Sequence, residues 1–156
     1  MPPSIISHGC LISLVGAVFS LFLIGCTGVR PVSLGVKDGR LAPCPETPNC
    51  VSSQSTDKDH FIAPLSYSSS TSEAVANLKK IIQQMNRTRI VAETDNYLYI
   101  EFTSALWRFV DDVEFSFDDA SKTIQVRSAS RLGKSDLGVN RKRIETIRAA
   151  WNSRGK

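Results

Sequence analysis

The chain has 156 residues, 42% hydrophobic and 22% charged, a balance that excludes collagen-like and intrinsically disordered polypeptides. With about 26 residues set aside as a leader, the remainder suits one domain large enough to bury a true core. The net charge of +4 is modest, but it is unevenly spread: residues 93–119 carry eight acidic side chains and one basic, residues 127–156 nine basic and two acidic. Either the two segments are neighbours that neutralise each other, or the second forms a basic surface for anionic lipid or nucleic acid. An exported chain with no zinc finger and no aromatic-rich RNA-binding signature is not expected to take nucleic acid as a partner.

Residues 11–24 form an apolar run of fourteen, interrupted only by Ser13, Gly16 and Ser20. As a helix it would rise about 21 Å, short of the ~30 Å hydrocarbon core, which suits a signal-peptide apolar segment better than a permanent span. It ends in Leu23-Ile24-Gly25-Cys26, similar to the bacterial lipobox, so cleavage is expected before Cys26 and lipid on its sulfur. The stretch before the run has no Lys or Arg, unlike the usual basic leader, and an uncleaved amino-terminal anchor is the other reading. Either places the domain outside the cytoplasm. The expected division is a signal peptide at 1–25, a lipidated tether at 26–40 and one domain at 41–156.

Of the four cysteines, Cys10 leaves with the leader and Cys26 is lipidated. Cys44 and Cys50 remain, in a segment that carries Pro43, Pro45 and Pro48. An even pair in an oxidising compartment reads as a disulfide, and the prolines lower the entropy cost of closing so short a loop. A metal site would need further soft ligands, and His60 is the only histidine after the leader. A redox pair would prefer a two-residue spacing.

Residues 27–41 have no period and read as tether, and residues 52–60 as an exposed loop. Residues 61–67 form a short strand candidate broken by Pro64, at best an edge. Ser70 three residues before Glu73 makes a capping box, after which Ala74, Val75, Leu78, Ile81, Ile82 and Met85 repeat at helical spacing, with Asn86 a stop. A weaker strand at 89–93 precedes three clear ones at 97–103, 107–117 and 124–130, the last two joined by the turn residues Asp118-Asp119-Ala120-Ser121. In the strand 107–117 one face is expected to carry Trp107, Phe109, Asp111, Val113, Phe115 and Phe117. A second amphipathic helix is expected over 139–151, with Ile144, Ile147 and Trp151 on one side. The reading is α+β: a single domain with an antiparallel sheet of about four strands against two helices.

Asp111 interrupts an apolar face, and an unpaired buried carboxylate costs several kcal/mol, so it needs partners. Ser128, Ser130, Arg131, Asn140 and Arg143 can supply them, with Arg127 and Asp136 nearby; Asp112 points to the opposite face and is expected to be more tolerant. The network reads as a structural lock, as a ligand or anion pocket, or as a catalytic site in which Asp111 or Asp136 works as acid–base beside Arg127 or Arg131 as anion clamp. No nucleophile elbow, phosphate loop or paired histidine–acid arrangement accompanies it, and no metal or cofactor is expected.

Three segments together resemble the domain-of-unknown-function family 1499. They are Cys44-Pro45-x-x-Pro48-Asn49-Cys50-Val51-Ser52-Ser53, Phe109-Val110-Asp111-Asp112-Val113-Glu114-Phe115, and the long run from Val126 through Arg131-Leu132-Gly133-Lys134-Ser135-Asp136-Leu137-Gly138 to Arg143. The likeness spans roughly residues 41–151. It implies a bacterial exported or membrane-attached protein, or a chloroplast one, and brings no activity with it. The resulting expectation is a non-enzymatic binding or scaffolding module held at a membrane by its lipid, with a small anionic ligand or an envelope protein as partner. A hydrolase using Asp111 or Asp136 with an arginine anion clamp is the rival.

Overall fold

The computed structural model describes residues 27–154. The leader, the cleavage site and Cys26 lie outside the described residues. Among the described residues six strands and two helices follow one another as β1 (Cys50–Ser52), β2 (Leu65–Ser66), α1 (Thr71–Gln83), β3 (Thr88–Thr94), β4 (Tyr97–Thr103), β5 (Val110–Asp118), β6 (Thr123–Ser130) and α2 (Val139–Ser153). The fold is α+β, with β3 to β6 an antiparallel meander in the order β6-β5-β4-β3. The strand count exceeds the expected four because β1 and β2, three and two residues long, share the outer edge of β6. Strands so short show no alternation to read.

Alternation sets the inner face. The rows Leu98–Phe115–Val126 and Ile100–Val113–Ser128 lie in register across β4, β5 and β6. Onto them pack Leu78, Ile81 and Ile82 of α1 and Ile144, Ile147 and Trp151 of α2, forming one core. Helix α1 begins where its capping residues stand: the Ser70 hydroxyl accepts the Glu73 N–H at 3.3 Å. Helix α2 has Gly138 at its N-cap, and the cap is supplied from further back, by Asp136, whose carboxylate accepts the N–H groups of Gly138 and Asn140 at 3.0 and 2.7 Å.

Two expectations need correcting. The strand read over 107–117 starts only at Val110, because Arg108 takes a left-handed φ of 57° and residues 104–109 close into a loop through Ser104 N–H to the Phe109 carbonyl. Trp107 and Phe109 are therefore exposed rather than on the core face. The stretch 52–60 is not wholly exposed either, since Ser52 pairs in β1 and His60 is buried with Nδ1 donating to the Cys50 carbonyl at 2.8 Å.

The segment read as tether lies across the outer face of the sheet. Gly28 sits against Arg131 and Leu132, Arg30 reaches Glu101, and the Gly35 N–H donates to Glu114 at 2.7 Å. Consequently β4 and β5 are buried on both faces. Among the described residues no helix is long and apolar enough to cross a membrane.

Candidate functional site

The residues singled out from the sequence fall into two polar networks on opposite faces of the sheet. On the inner face the row Phe102–Asp111–Ser130 ends the core at the sheet's edge. Asp111 accepts a short charge-assisted hydrogen bond from Arg143 of α2. The Arg143 guanidinium also donates to Asn140 Oδ1 at 2.5 Å and Ser128 Oγ at 3.1 Å, and stacks 4.7 Å over the Phe102 ring. Asn140, fully buried, donates to Ser130 Oγ and to the Asn49 carbonyl, both at 3.0 Å. The Asn49 amide in turn donates to the Gly133 carbonyl at 2.7 Å. The network thus ties β1, β5, β6, the following loop and α2 together. Asp111 has the partner its position demands.

The outer face holds the second network. Asp112 is 1% exposed, so the exposed setting on which its expected tolerance depends is not the one it has. Arg131 clamps it through Nε at 2.9 Å and Nη2 at 2.7 Å, while the Tyr99 hydroxyl donates to it at 2.5 Å. Arg131 reaches on to Glu101 at 2.5 Å, and Arg30 and Arg89 each hold Glu101 through Nη2 at 2.6 Å. Burial pushes the Glu101 carboxyl up, but the three guanidiniums outweigh it and hold it at about 2. Burial, then the neighbouring carboxylates, push the Tyr97 and Tyr99 hydroxyls up, so both stay protonated and donate, Tyr97 to Glu114 at 2.8 Å. The hydrogen bond to Asp112 comes first in raising the Arg131 guanidinium. Arg127, buried beside Glu114 at 3.4 Å, leaves its Nε without a partner.

These contacts join acidic β4 and β5 to basic β6 and α2, so the oppositely charged segments are neighbours. Asp111, Ser128, Ser130, Asn140 and Arg143 come together. Asp112 and Arg131 form a separate cluster, Arg127 belongs with Glu114, and Asp136 caps α2. Sequence reasoning missed Tyr99, Glu101 and Glu114, whose alternation with apolar residues reads as an ordinary solvated face. It also missed Arg30, which lies in a stretch without period.

A cleft of about 470 Å³ opens elsewhere, beside the Cys44–Cys50 disulfide, with Leu41, Pro43, Ser52, Asp57 and His60 among its walls. None of the residues of the two networks lines it. Arg143 reaches a shallow groove between Met85 and Val139, while Asp111 does not.

A family model described as "Protein of unknown function (DUF1499)" matches residues 40–151, most of the chain. The chain belongs to the DUF1499 family. No curated protein and no solved structure matches it. The match begins at Arg40, so the sheet, the disulfide, α1 and α2 up to Trp151 of this DUF1499 protein fall within it, whereas Arg30 and Gly35 lie before it.

Proposed function

We propose that this DUF1499 protein is a non-enzymatic binding or scaffolding module of the cell envelope, held at a membrane surface by lipid on Cys26. The observation that carries the reading is the commitment of its carboxylates. Asp111 is used by Arg143 beneath α2, Asp112 by Arg131 and Tyr99, and Asp136 by the first N–H groups of α2. A general acid or base must reach the reacting atom, by direct hydrogen bond or through one water. Asp111 and Asp112 are buried within the fold, and moving Asp136 would undo a helix cap. The lipobox and the disulfide of an oxidising compartment favour the envelope.

Native mass spectrometry of the protein, extracted from its own membrane in mild detergent, tests the proposal. A protein or small-molecule partner that stays associated and chemically unchanged on prolonged incubation is expected. Conversion of a retained molecule into product, stopped by Asp136→Asn, would favour the hydrolase.

A further inference from the structure

One end of the sheet differs from the rest of the surface. There the loop between β4 and β5 and the loop between β6 and α2 lie side by side, joined by the Arg131 N–H to the Val110 carbonyl at 3.1 Å. Their tips are apolar and open: Leu106 is 85% exposed, Trp107 69% and Leu137 94%. Neither loop is loose at its base. Ser104 and Phe109 exchange two hydrogen bonds, backbone N–H to carbonyl at 2.8 Å and Phe109 N–H to Ser104 Oγ at 2.9 Å. Asp136 and Ser135 accept the N–H groups on either side of the Leu137 carbonyl, from Gly138 and Leu137.

Leu137 also takes a left-handed φ of 55°, a conformation that strains any residue with a Cβ. Large apolar side chains grouped at loop tips, one of them strained to stand outward, mark an interaction surface. The place where residue 28 joins the fold selects the occupant. Gly28 packs against Leu132 of the same loop, and Val29 beside it is 90% exposed, so the polypeptide enters the fold at this end, two residues after Cys26.

Charge agrees. Exposed Arg87, Arg108, Lys134 and Lys142 surround this end, and its one half-buried carboxylate, Asp136, is occupied in capping. Glu93, Asp95, Asp118 and Asp119 stand at the opposite end, Glu93 paired with Lys79 and Asp119 with Lys122, where the two hairpins meet through the Phe117 N–H to the Asn96 carbonyl. The molecule is polarised along the sheet, basic and apolar at the end where residue 28 joins the fold and of net negative charge at the other, as an anionic bilayer would orient it.

We infer that the Leu106–Trp107 and Leu137 loop tips insert into the headgroup region of an anionic bilayer and fix the domain's orientation on it. The inference rests on the membrane-surface reading above for the location of the chain, but not on the lipid at Cys26. Because Trp151 is buried in the core and Trp107 exposed, tryptophan fluorescence reads the docking directly.

The matured full chain is mixed with phosphatidylglycerol–phosphatidylethanolamine vesicles whose acyl chains carry bromine close to the headgroup. Loss of most of the Trp107 emission is expected, with the Trp151 emission of a Trp107→Phe variant unchanged. Leu106→Asp together with Leu137→Asp should restore the Trp107 emission without altering the circular dichroism, since both side chains are exposed. Co-sedimentation with Trp107 unquenched would overturn the docking and leave the anchor standing, as it would if these tips serve a protein partner. If mass spectrometry finds the native chain without fatty acid on Cys26 and the quenching persists, the anchor is overturned and the docking stands. No association with vesicles would overturn the docking.

Discussion

Replacing Asp112 by alanine separates the structure from the simple view of a two-faced strand. An outward carboxylate on a solvated face would be lost at less than ~1 kcal/mol. Here the change strands a buried guanidinium and a buried hydroxyl, those of Arg131 and Tyr99. Breaking a buried pair by removing one partner costs roughly 3–5 kcal/mol. Arg131 keeps Glu101 at 2.5 Å, so the lower figure applies and ~3 kcal/mol is expected. Asp111→Ala should cost a similar or smaller amount, about 2–3 kcal/mol, because Arg143 retains Ser128 and Asn140 and borders an open groove. Urea denaturation with the disulfide intact measures both, and at about 1–3 kcal/mol per molar the midpoint of Asp112→Ala should fall by at least ~1 M. The double variant Asp112→Ala, Arg131→Met should recover part of the loss, since it removes the stranded charge. A midpoint for Asp112→Ala indistinguishable from the parent would refute the reasoning: the outer face would then be solvated and residues 27–41 would not cover it.

Glu101, at about 2 in the fold against an ordinary 4.5, contributes stability that is complete above about pH 4.5 and is lost as pH falls through about 2. Glu101→Gln should therefore flatten the decline of the urea midpoint between these pH values, and parallel curves for the two proteins would contradict this. Replacing both Cys44 and Cys50 by serine should cost about 2 kcal/mol, the loop being short. Alkylation without reductant followed by intact mass should find neither thiol free. Asp136→Ala should lose about 1 kcal/mol with the cap of α2, and Asp136→Asn much less; equal losses by thermal melt would point to a role beyond capping.

Much of the inner face could be read from the sequence. The strand expected over 97–103 has those bounds, Ser70 caps α1, and Ile144, Ile147 and Trp151 lie in the core. Asp111 pairs with Arg143, one of the five residues expected to receive it. These features are legible because apolar periodicity and an isolated buried charge each have few solutions. The outer face was not legible. Tyr97, Tyr99 and Glu101 alternate with core residues as a solvated face does, and period 2 cannot say whether anything covers the polar side. The cover is an aperiodic segment that reaches the sheet through scattered contacts, among them the Arg30 guanidinium and the Gly35 N–H. Contacts of that kind leave no pattern. Residues 107–109 of the loop at 104–109 read as strand because Trp107 and Phe109 continue the alternation of β5, and nothing in composition announces the left-handed turn at Arg108.

The proposed membrane attachment is tested most directly by the mass of one peptide. Trypsin does not cut before Pro31, so the matured chain should begin with a peptide running from Cys26 to Lys37. Mass spectrometry of the protein taken from its own membrane should find that peptide with diacylglycerol on the cysteine sulfur and nothing upstream. A Cys26 with a free thiol, or a peptide continuing into residues 11–25, would contradict the account.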